Sequence, residues 1–366
     1  MLASVIVFFV VLSVLILVHE LGHFIAAKRS GVWVEEFGFG LPPKLVGIKI
    51  GQTLFSINAL PFGGFCRLHG EIDEEAIIHP RRAFLNKNKK TRFAIVIAGI
   101  VMNLILAVVA FAAVYSLTGI PKETKNVKIV EIATGSPAQA SGLIVGDIVR
   151  KVDKESVAST NEFIKAIEVK KGKRVTLEIA RDSISKKISL TPRENPPTDE
   201  GPLGVIITTT ELWFPAVWQR PFIGIYYGVK DALFWGKTVV EGIISIFRDL
   251  FRGVAPKDVA GPIGIYAITS QVAKNGFLAI LNLVGILSIN LAILNIIPFP
   301  ALDGGRLLFI AIEGVIGKKI IPKVEATIHT IGMAILILLL LAITAHDIIN
   351  VMRAGSISKF VESIVK

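Results

Sequence analysis

Long apolar runs alternate with polar, basic segments along this chain. Four runs are long enough and apolar enough to cross a membrane as helices, since a span needs about 20 apolar residues. They cover residues 2–27, 93–117, 277–297 and 328–349. The pattern predicts a polytopic α-helical membrane protein with about four transmembrane helices.

Residues 213–252 are harder to interpret from the pattern alone. The stretch is aromatic and apolar, but it carries Lys230, Asp231, Lys237 and Glu241. Such charges favour an amphipathic helix that lies in the membrane interface over a helix that crosses it. Both arrangements remain open at this point.

The segment 29–91 between the first two runs contains short strand-like stretches. Residues 44–50 and 53–57 flank Gly51 and Gln52, and a strand marked by Gly63, Gly64 and Phe65 follows. A protease must hold its substrate extended, so an exposed strand edge beside an active site would pair with it. A small hairpin that caps the helices explains the same pattern equally well.

Residues 122–195 are charged and rich in short strands, with one short helix predicted at 161–168. The run Ser136-Pro137-Ala138 is followed by Gly142-Leu143 and then by Gly146-Asp147. This order resembles a PDZ domain of the kind found in bacterial proteases. The resemblance implies an inserted α/β PDZ-like domain that binds a peptide or a substrate tail by strand addition.

The first apolar run contains His19, Glu20 and His23. Residues four apart on a helix share a face, so the two imidazoles can hold one ion with Glu20 beside them. Zinc hydrolases use two such histidines, a third protein ligand and a carboxylate that acts as general base. Ionisable groups inside a membrane are costly and usually functional. The motif therefore predicts a Zn²⁺ site, although histidines near a helix end can also simply contact lipid headgroups.

Composition supports a membrane protein. Hydrophobic residues make up 52% of the 366 residues and charged residues only 19%. The net charge of +11 comes from loops that flank the apolar runs, where basic residues orient membrane proteins. We therefore expect a lipid bilayer and no nucleic acid as partner. The single cysteine, Cys66, excludes an intramolecular disulfide.

Counting membrane crossings predicts the third ligand. The basic loop after Lys28 and Arg29 places the end of the first run on the cytoplasmic side, so the PDZ-like domain is extracytoplasmic. If 213–252 stays in the interface, Asp303 emerges from the third run at the depth of His19. We predict Asp303 as the third zinc ligand, although aspartate before two glycines is also a common turn residue.

Two motifs in this order resemble the site-2 proteases, a family of intramembrane zinc metalloproteases, and specifically their bacterial RseP-like branch. The first is His-Glu-Leu-Gly-His at 19–23, which many zinc proteases share. The second is Asn-Ile-Ile-Pro-Phe-Pro-Ala-Leu-Asp-Gly at 295–304, which is highly specific. This chain has room for a single PDZ domain, whereas the best-studied branch has two in tandem.

The resemblance implies a role for each matching residue. His19, His23 and Asp303 would bind zinc, and Glu20 would be the general base. Asn295 would contact the substrate. Gly63, Gly64 and Phe65 would belong to a small membrane-associated β element that guides it.

The resemblance also implies a function. The reaction would be hydrolysis of a peptide bond within or next to a transmembrane segment of a single-span membrane protein. Typical substrates would be anti-sigma factors already trimmed by a first protease, or remnant signal peptides, in regulated intramembrane proteolysis. The expected location is the bacterial inner (plasma) membrane, as a multi-pass protein with its active site towards the cytoplasm.

The predicted organisation divides the chain into nine segments. They are transmembrane helix 1 with the zinc motif at 1–28, a cytoplasmic loop with the β element at 29–91, transmembrane helix 2 at 92–120, an extracytoplasmic PDZ domain at 121–196, a linker and interfacial amphipathic helix at 197–276, transmembrane helix 3 with the second motif at 277–306, a cytoplasmic loop at 307–327, transmembrane helix 4 at 328–352 and a C-terminal tail at 353–366.

Two other classes of protein fit parts of the pattern. A transporter could use apolar segments interrupted by proline and asparagine to hold an ion, but the sequence has no internal repeat. A membrane-tethered PDZ scaffold would leave His19, Glu20 and Asp303 without a purpose.

Overall fold

The computed structural model describes residues 2–71, 77–182, 184–198, 200–253 and 261–355. Its contacts divide the chain into two compact units, one formed by Met1–Leu117 with Trp218–Lys366 and the other by Thr118–Val217. Most of the predicted C-terminal tail, 356–366, lies outside the described residues.

Helices dominate the first unit and strands the second. In chain order the helices are α1 (Leu2–Arg29), α2 (Lys89–Thr118), α3 (Pro137–Ala140), α4 (Thr160–Glu168), α5 (Arg220–Phe251), α6 (Pro262–Ala273), α7 (Phe277–Ile296), α8 (Asp303–Ile316) and α9 (Pro322–Ala354). The strands are β1 (Val34–Ile50), β2 (Thr53–Leu68), β3 (Ile120–Ile132), β4 (Ile148–Val152), β5 (Glu155–Ser156), β6 (Val175–Arg181), β7 (Ile184–Leu190) and β8 (Val205–Trp213).

Four helices of the first unit, α1, α2, α7 and α9, are each long and apolar enough to cross a membrane. Helix α5 is not among the candidate spans found in the described part of the chain. It packs against α7, and its Gly224 and Gly228 lie against the backbone of α2, where an added methyl group would contact carbonyl oxygens at 2.6 Å. The chain is therefore a multi-pass membrane protein.

Glycines bring α1, α2 and α7 close together. A methyl group on Gly22 of α1 would lie 2.8 Å from the Met102 side chain of α2, and one on Gly285 of α7 would lie 2.6 Å from the Phe111 ring. The Ser288 hydroxyl of α7 also donates to the carbonyl of Asn103 at 2.8 Å. Small residues at such positions let helix backbones approach where no hydrophobic effect drives association.

Helix α8 is held by a buried ion pair. Arg92 of α2 contacts the Glu313 carboxylate, and the two side chains are 3% and 2% exposed. Lys89 Nζ donates to the Glu313 carbonyl. Loss of either charge would leave the other buried without a partner, which typically costs about 3–5 kcal/mol. This pair fixes the helix that begins with Asp303 against the start of α2.

Two long, bent strands form the β element of the first unit. The first part of β1 pairs with residues 64–68 of β2 on one side and with residues 54–57 on the other, and the second part of β1 pairs with 53–58. The result resembles four short antiparallel strands. The stretch 64–68 lies at one edge, since it has no strand partner on its other side among the described residues.

The second unit is an antiparallel sheet with its own core. The strand order is β7-β6-β4-β3-β8, and β5 pairs with β4. Val127, Ile129, Val149, Leu177 and Ile179 are fully buried at its centre. Helix α4 adds an apolar face to the same cluster. Strand β8, which falls in the predicted linker at 197–276, is a full edge strand of this sheet.

An ion pair fixes the loop before β4. Arg181 donates two hydrogen bonds of 2.8 Å to the buried Asp147 carboxylate, and the Ile144 amide donates a third of 3.0 Å. Burial alone would raise the pKa of Asp147, but these hydrogen bonds lower it below its ordinary value. The carboxylate therefore stays charged at neutral pH.

Candidate metal centre

Three predicted zinc ligands meet at one point. His19 Nε2 lies 3.0 Å and His23 Nε2 lies 3.2 Å from Asp303 Oδ2. The two Nε2 atoms are 3.2 Å from each other. His19 is 7% exposed, so the group is largely shielded from solvent.

This arrangement fits a zinc ion. Zinc binds histidine nitrogen and carboxylate oxygen at about 2.0–2.2 Å in tetrahedral geometry, which separates neighbouring ligand atoms by about 3.3 Å. The observed separations of 3.0–3.2 Å match that value. The donor set of two imidazoles and one carboxylate is also the one that catalytic zinc sites use, with a fourth position for water or substrate.

Helix α2 orients both imidazoles. The His23 Nδ1 atom lies 2.9 Å from the Ile95 carbonyl, which can only accept a hydrogen bond. Gly99 lies against both rings: a methyl group there would be 2.6 Å from His23 Cε1 and 2.8 Å from His19 Cε1. The Asn103 amide lies 3.2 Å from His19 Nδ1. Both Nε2 atoms therefore face Asp303.

A tight turn delivers Asp303. Pro298 prevents α7 from continuing, and Ala301 has a φ of 79°, a left-handed conformation that is unusual for alanine. The Ala301 amide donates to His329 Nδ1 at 2.9 Å, which holds this turn against α9. Position 304 has no room for a side chain, because a methyl group there would lie 2.6 Å from the carbonyl oxygen of Ile296.

Glu20 lies in the wall of the cavity that contains the three ligand atoms. The cavity has a volume of about 420 Å³. It is lined by His19, Glu20, His23, Phe65, Cys66, Arg67, Leu68, Glu71, Phe84, Ile95, Val96, Ala301, Leu302, Asp303, Arg306 and Met333. A carboxylate beside the metal ligands, in a space large enough for a peptide segment, is the arrangement that peptide hydrolysis needs.

The four predicted substrate-binding residues differ in their position relative to the cavity. Phe65 lines the cavity. Gly64 lies beside it, since a methyl group there would be 3.6 Å from Glu20 Cγ, and Gly63 precedes it in β2 with a φ of 92°. Asn295 is 9% exposed at the end of α7 and is not among the described residues that line the cavity.

Sequence reasoning missed an ion pair in the same wall. Arg306 contacts Glu71 Oε1, and Glu71 Oε2 accepts from the Leu68 amide at 3.1 Å. Arg306 lies one helical turn after Asp303, which is a usable signal. Glu71 lies in a polar loop where nothing in the sequence places it near zinc ligands. Burial raises the pKa of the neighbouring Cys66 thiol, so it stays uncharged at neutral pH.

The fold and the site together define a class of protein: a metallohydrolase whose candidate metal centre joins two histidines of a candidate membrane helix to the first residue of α8. The sequence profile of peptidase family M50 matches residues 7–339, which is most of the chain. The chain therefore belongs to peptidase family M50, the site-2 proteases, as the two motifs predicted.

Two relatives carry names that agree with this family. A candidate zinc metalloprotease of Clostridium acetobutylicum is 34% identical over 348 residues, covering 94% of this chain and 97% of the relative. The zinc metalloprotease RasP of Oceanobacillus iheyensis is 28% identical and covers 94% and 98%. A solved PDZ domain of an SdrC-like protein from Listeria monocytogenes covers 23% of this chain and 88% of its own, with 21% identity and a TM-score of 0.21.

The family and the relatives confirm two predictions. The chain is a zinc metalloendopeptidase, and its cofactor is zinc. Membership of the site-2 protease family also supports cleavage inside the membrane.

Proposed function

We propose that this protease cuts a peptide bond within or next to the transmembrane segment of a single-span membrane protein, at a zinc ion held by His19, His23 and Asp303. The observation that carries the proposal is the meeting of these three ligand atoms within 3.2 Å of one another. His19 and His23 lie in the second half of the candidate span α1, and Asp303 is the first residue of α8. All three line a cavity that also contains Glu20.

Glu20 is the proposed general base. When bound, zinc supplies Lewis acidity, which makes water a stronger nucleophile at neutral pH and polarises a carbonyl. The Glu20 carboxylate accepts the proton of the attacking water and passes it to the amine that leaves when the peptide bond breaks. The Nδ1 atoms of His19 and His23 face hydrogen-bond partners on α2, which orients both Nε2 atoms towards the metal position.

The edge of the β element, residues 64–68 of β2, is the proposed guide for the substrate. A hydrogen-bonded helix hides its carbonyls, so the segment to be cut must unwind before attack. Residues 64–68 present an unpaired edge among the described residues, and Phe65 to Leu68 line the cavity. An unwound substrate can pair with this edge and regain the backbone hydrogen bonds it lost.

The hairpin at the other end of the β element, where β1 turns into β2, is proposed to insert into the membrane. This hairpin exposes a contiguous set of large apolar side chains. They are Leu41, Leu45, Val46, Ile48, Ile50, Ile57 and Leu60, each between 39% and 69% exposed. Apolar surface of this extent is stable in contact with lipid and costly in water.

The PDZ-like unit is proposed to hold a peptide or the substrate's tail. Strand β8 lies at the end of the sheet order, and α4 contacts it. An edge strand beside a helix provides hydrogen-bonding groups on one side and a side-chain groove on the other. Anti-sigma factors trimmed by a first protease and remnant signal peptides remain the substrate classes we propose.

The proposed location is the bacterial inner (plasma) membrane, with four spans, α5 at the interface, the metal centre towards the cytoplasm and the PDZ-like unit outside. Single cysteines test this topology in a Cys66→Ser background. We expect Lys154→Cys to react with a membrane-impermeant maleimide in intact cells and Lys318→Cys to react only after permeabilisation. Labelling of both in intact cells, or the reverse pattern, would show that the topology is wrong.

A cleavage assay tests the proposed function. Purified protein in lipid nanodiscs is incubated with a single-span substrate, and the fragments are identified by mass spectrometry. We expect a cut within or next to the span, loss of cleavage on treatment with a zinc chelator, and recovery when zinc is restored. Cuts confined to the soluble tail would contradict an intramembrane site. Chelation without effect would contradict the zinc mechanism.

A further inference from the structure

Asn103 is a fully buried polar side chain beside the metal centre. It is 0% exposed, and its amide group lies 3.2 Å from His19 Nδ1. The Ser288 hydroxyl binds its backbone carbonyl at 2.8 Å, so α7 holds this residue in place from the other side. Its Oδ1 atom is buried and has no hydrogen-bond partner among the described residues.

The contact with His19 decides which imidazole nitrogen carries the proton. A neutral histidine has one N–H and one free nitrogen. If His19 Nδ1 accepted a hydrogen bond, Nε2 would carry the proton and could not bind a metal. Because His19 Nε2 faces Asp303 and His23, zinc binding requires the proton on Nδ1 and an acceptor opposite it.

Asn103 can supply that acceptor. The two orientations of its carboxamide have nearly the same shape and differ only in whether oxygen or nitrogen faces the imidazole. No other hydrogen bond among the described residues fixes Oδ1, so the contact with His19 determines the orientation. Zinc binding through His19 Nε2 would require the amide oxygen to face His19 Nδ1.

We infer that Asn103 is a positioning residue for the metal centre: its amide oxygen accepts a hydrogen bond from His19 Nδ1–H and keeps Nε2 free to bind zinc. This inference rests on the proposed zinc site. It also explains a difference between the two ligands. The backbone carbonyl of Ile95 fixes the His23 tautomer, whatever the side chain at 95, whereas the His19 tautomer depends on a side chain that mutation can change.

Three variants of the full-length protein test the inference by their zinc affinity. Asn103→Leu keeps the size and removes the acceptor. Asn103→Asp keeps the acceptor and removes the NH₂ group, and Asn103→Ser keeps a smaller acceptor without adding a charge. Zinc affinity is measured by competition with a chromogenic chelator, and circular dichroism and gel filtration of the metal-free proteins show that each is folded.

We expect Asn103→Leu to lower zinc affinity by about 10–100-fold, the usual effect of removing a residue that orients a metal ligand. Asn103→Asp should bind zinc at least as tightly as Asn103→Ser, and both more tightly than Asn103→Leu. Wild-type affinity in a folded Asn103→Leu would show that the residue only packs. Equal losses in all three folded variants would show that the NH₂ group matters and would also overturn the inference.

His19→Ala separates this inference from the proposed zinc site. If His19→Ala retains zinc, the ligand assignment itself is wrong and the inference falls with it. If His19→Ala loses zinc while a folded Asn103→Leu retains it fully, the zinc site stands and only the role of Asn103 is refuted.

Discussion

Replacing Glu20 with glutamine is expected to reduce cleavage of a single-span substrate by about 10²–10⁴-fold, the usual contribution of a general base, without changing the zinc content. Glutamine has nearly the same shape as glutamate but cannot accept the proton of the attacking water. The three proposed ligands do not include Glu20, and their atoms lie within 3.2 Å of one another independently of it. The measurements are initial rates in nanodiscs and zinc per chain by mass spectrometry.

Glu71 provides the matched control for this prediction. It lines the same cavity, but both of its oxygens are engaged, by Arg306 and by the Leu68 amide. We therefore expect Glu71→Gln to reduce cleavage less than Glu20→Gln. A fully active Glu20→Gln beside an inactive Glu71→Gln would reassign the base to Glu71. Loss of zinc from Glu20→Gln would instead show that Glu20 supports the metal centre.

The prediction that the three zinc ligands meet rested on sequence spacing and on membrane depth. His19 and His23 share a helix face, so their proximity follows from sequence spacing. Asp303 is far away in the chain, but counting membrane crossings predicts the same depth for it if 213–252 stays in the interface. A membrane span fixes the depth of each of its residues in the bilayer, which makes such long-range inferences possible.

The residues that orient the ligands were harder to predict. The sequence predicts that Gly99 and Asn103 pack against the first span, with a direct catalytic role as the less favoured alternative. Their contacts with His23 and His19 depend on the rotation of α2 about its axis, which hydropathy does not reveal. The Ile95 carbonyl has no sequence signal at all, because every residue carries one.

The strands that sequence reasoning left out depend on distant partners. Residues 34–39 contain one glycine and two glutamates, which have low strand propensity. They nevertheless form the middle of the β element because two stretches of β2 flank them. Strand β8 is rich in threonine and isoleucine, a local signal for a strand. Its pairing partner β3 lies on the far side of the whole PDZ-like segment, so the pairing itself could not be predicted from local pattern.

Replacing Asp303 with alanine is expected to remove zinc from the purified protein and to abolish cleavage. Two imidazoles remain, but a catalytic zinc site needs three protein ligands, and the ion would lose the only negative charge among the three. Asp303→Asn should also lose zinc, because it keeps the shape of the side chain and replaces the charged oxygen by a neutral amide. Zinc per chain, measured by mass spectrometry after dialysis against a weak chelator, checks both variants.

Asp231→Asn is the control for this effect. Its carboxylate accepts a 2.5 Å hydrogen bond from Tyr115, and Tyr115 lies about 18 Å along α2 from Asn103 at 1.5 Å per residue. This variant should keep its zinc, which separates a local loss of the ligand from a general loosening of the helices. Full zinc content in Asp303→Ala would contradict the assignment of the third ligand. Among the described residues no other carboxylate forms a metal-competent group with His19 and His23, so the metal centre would then have to be rebuilt from a different set of residues.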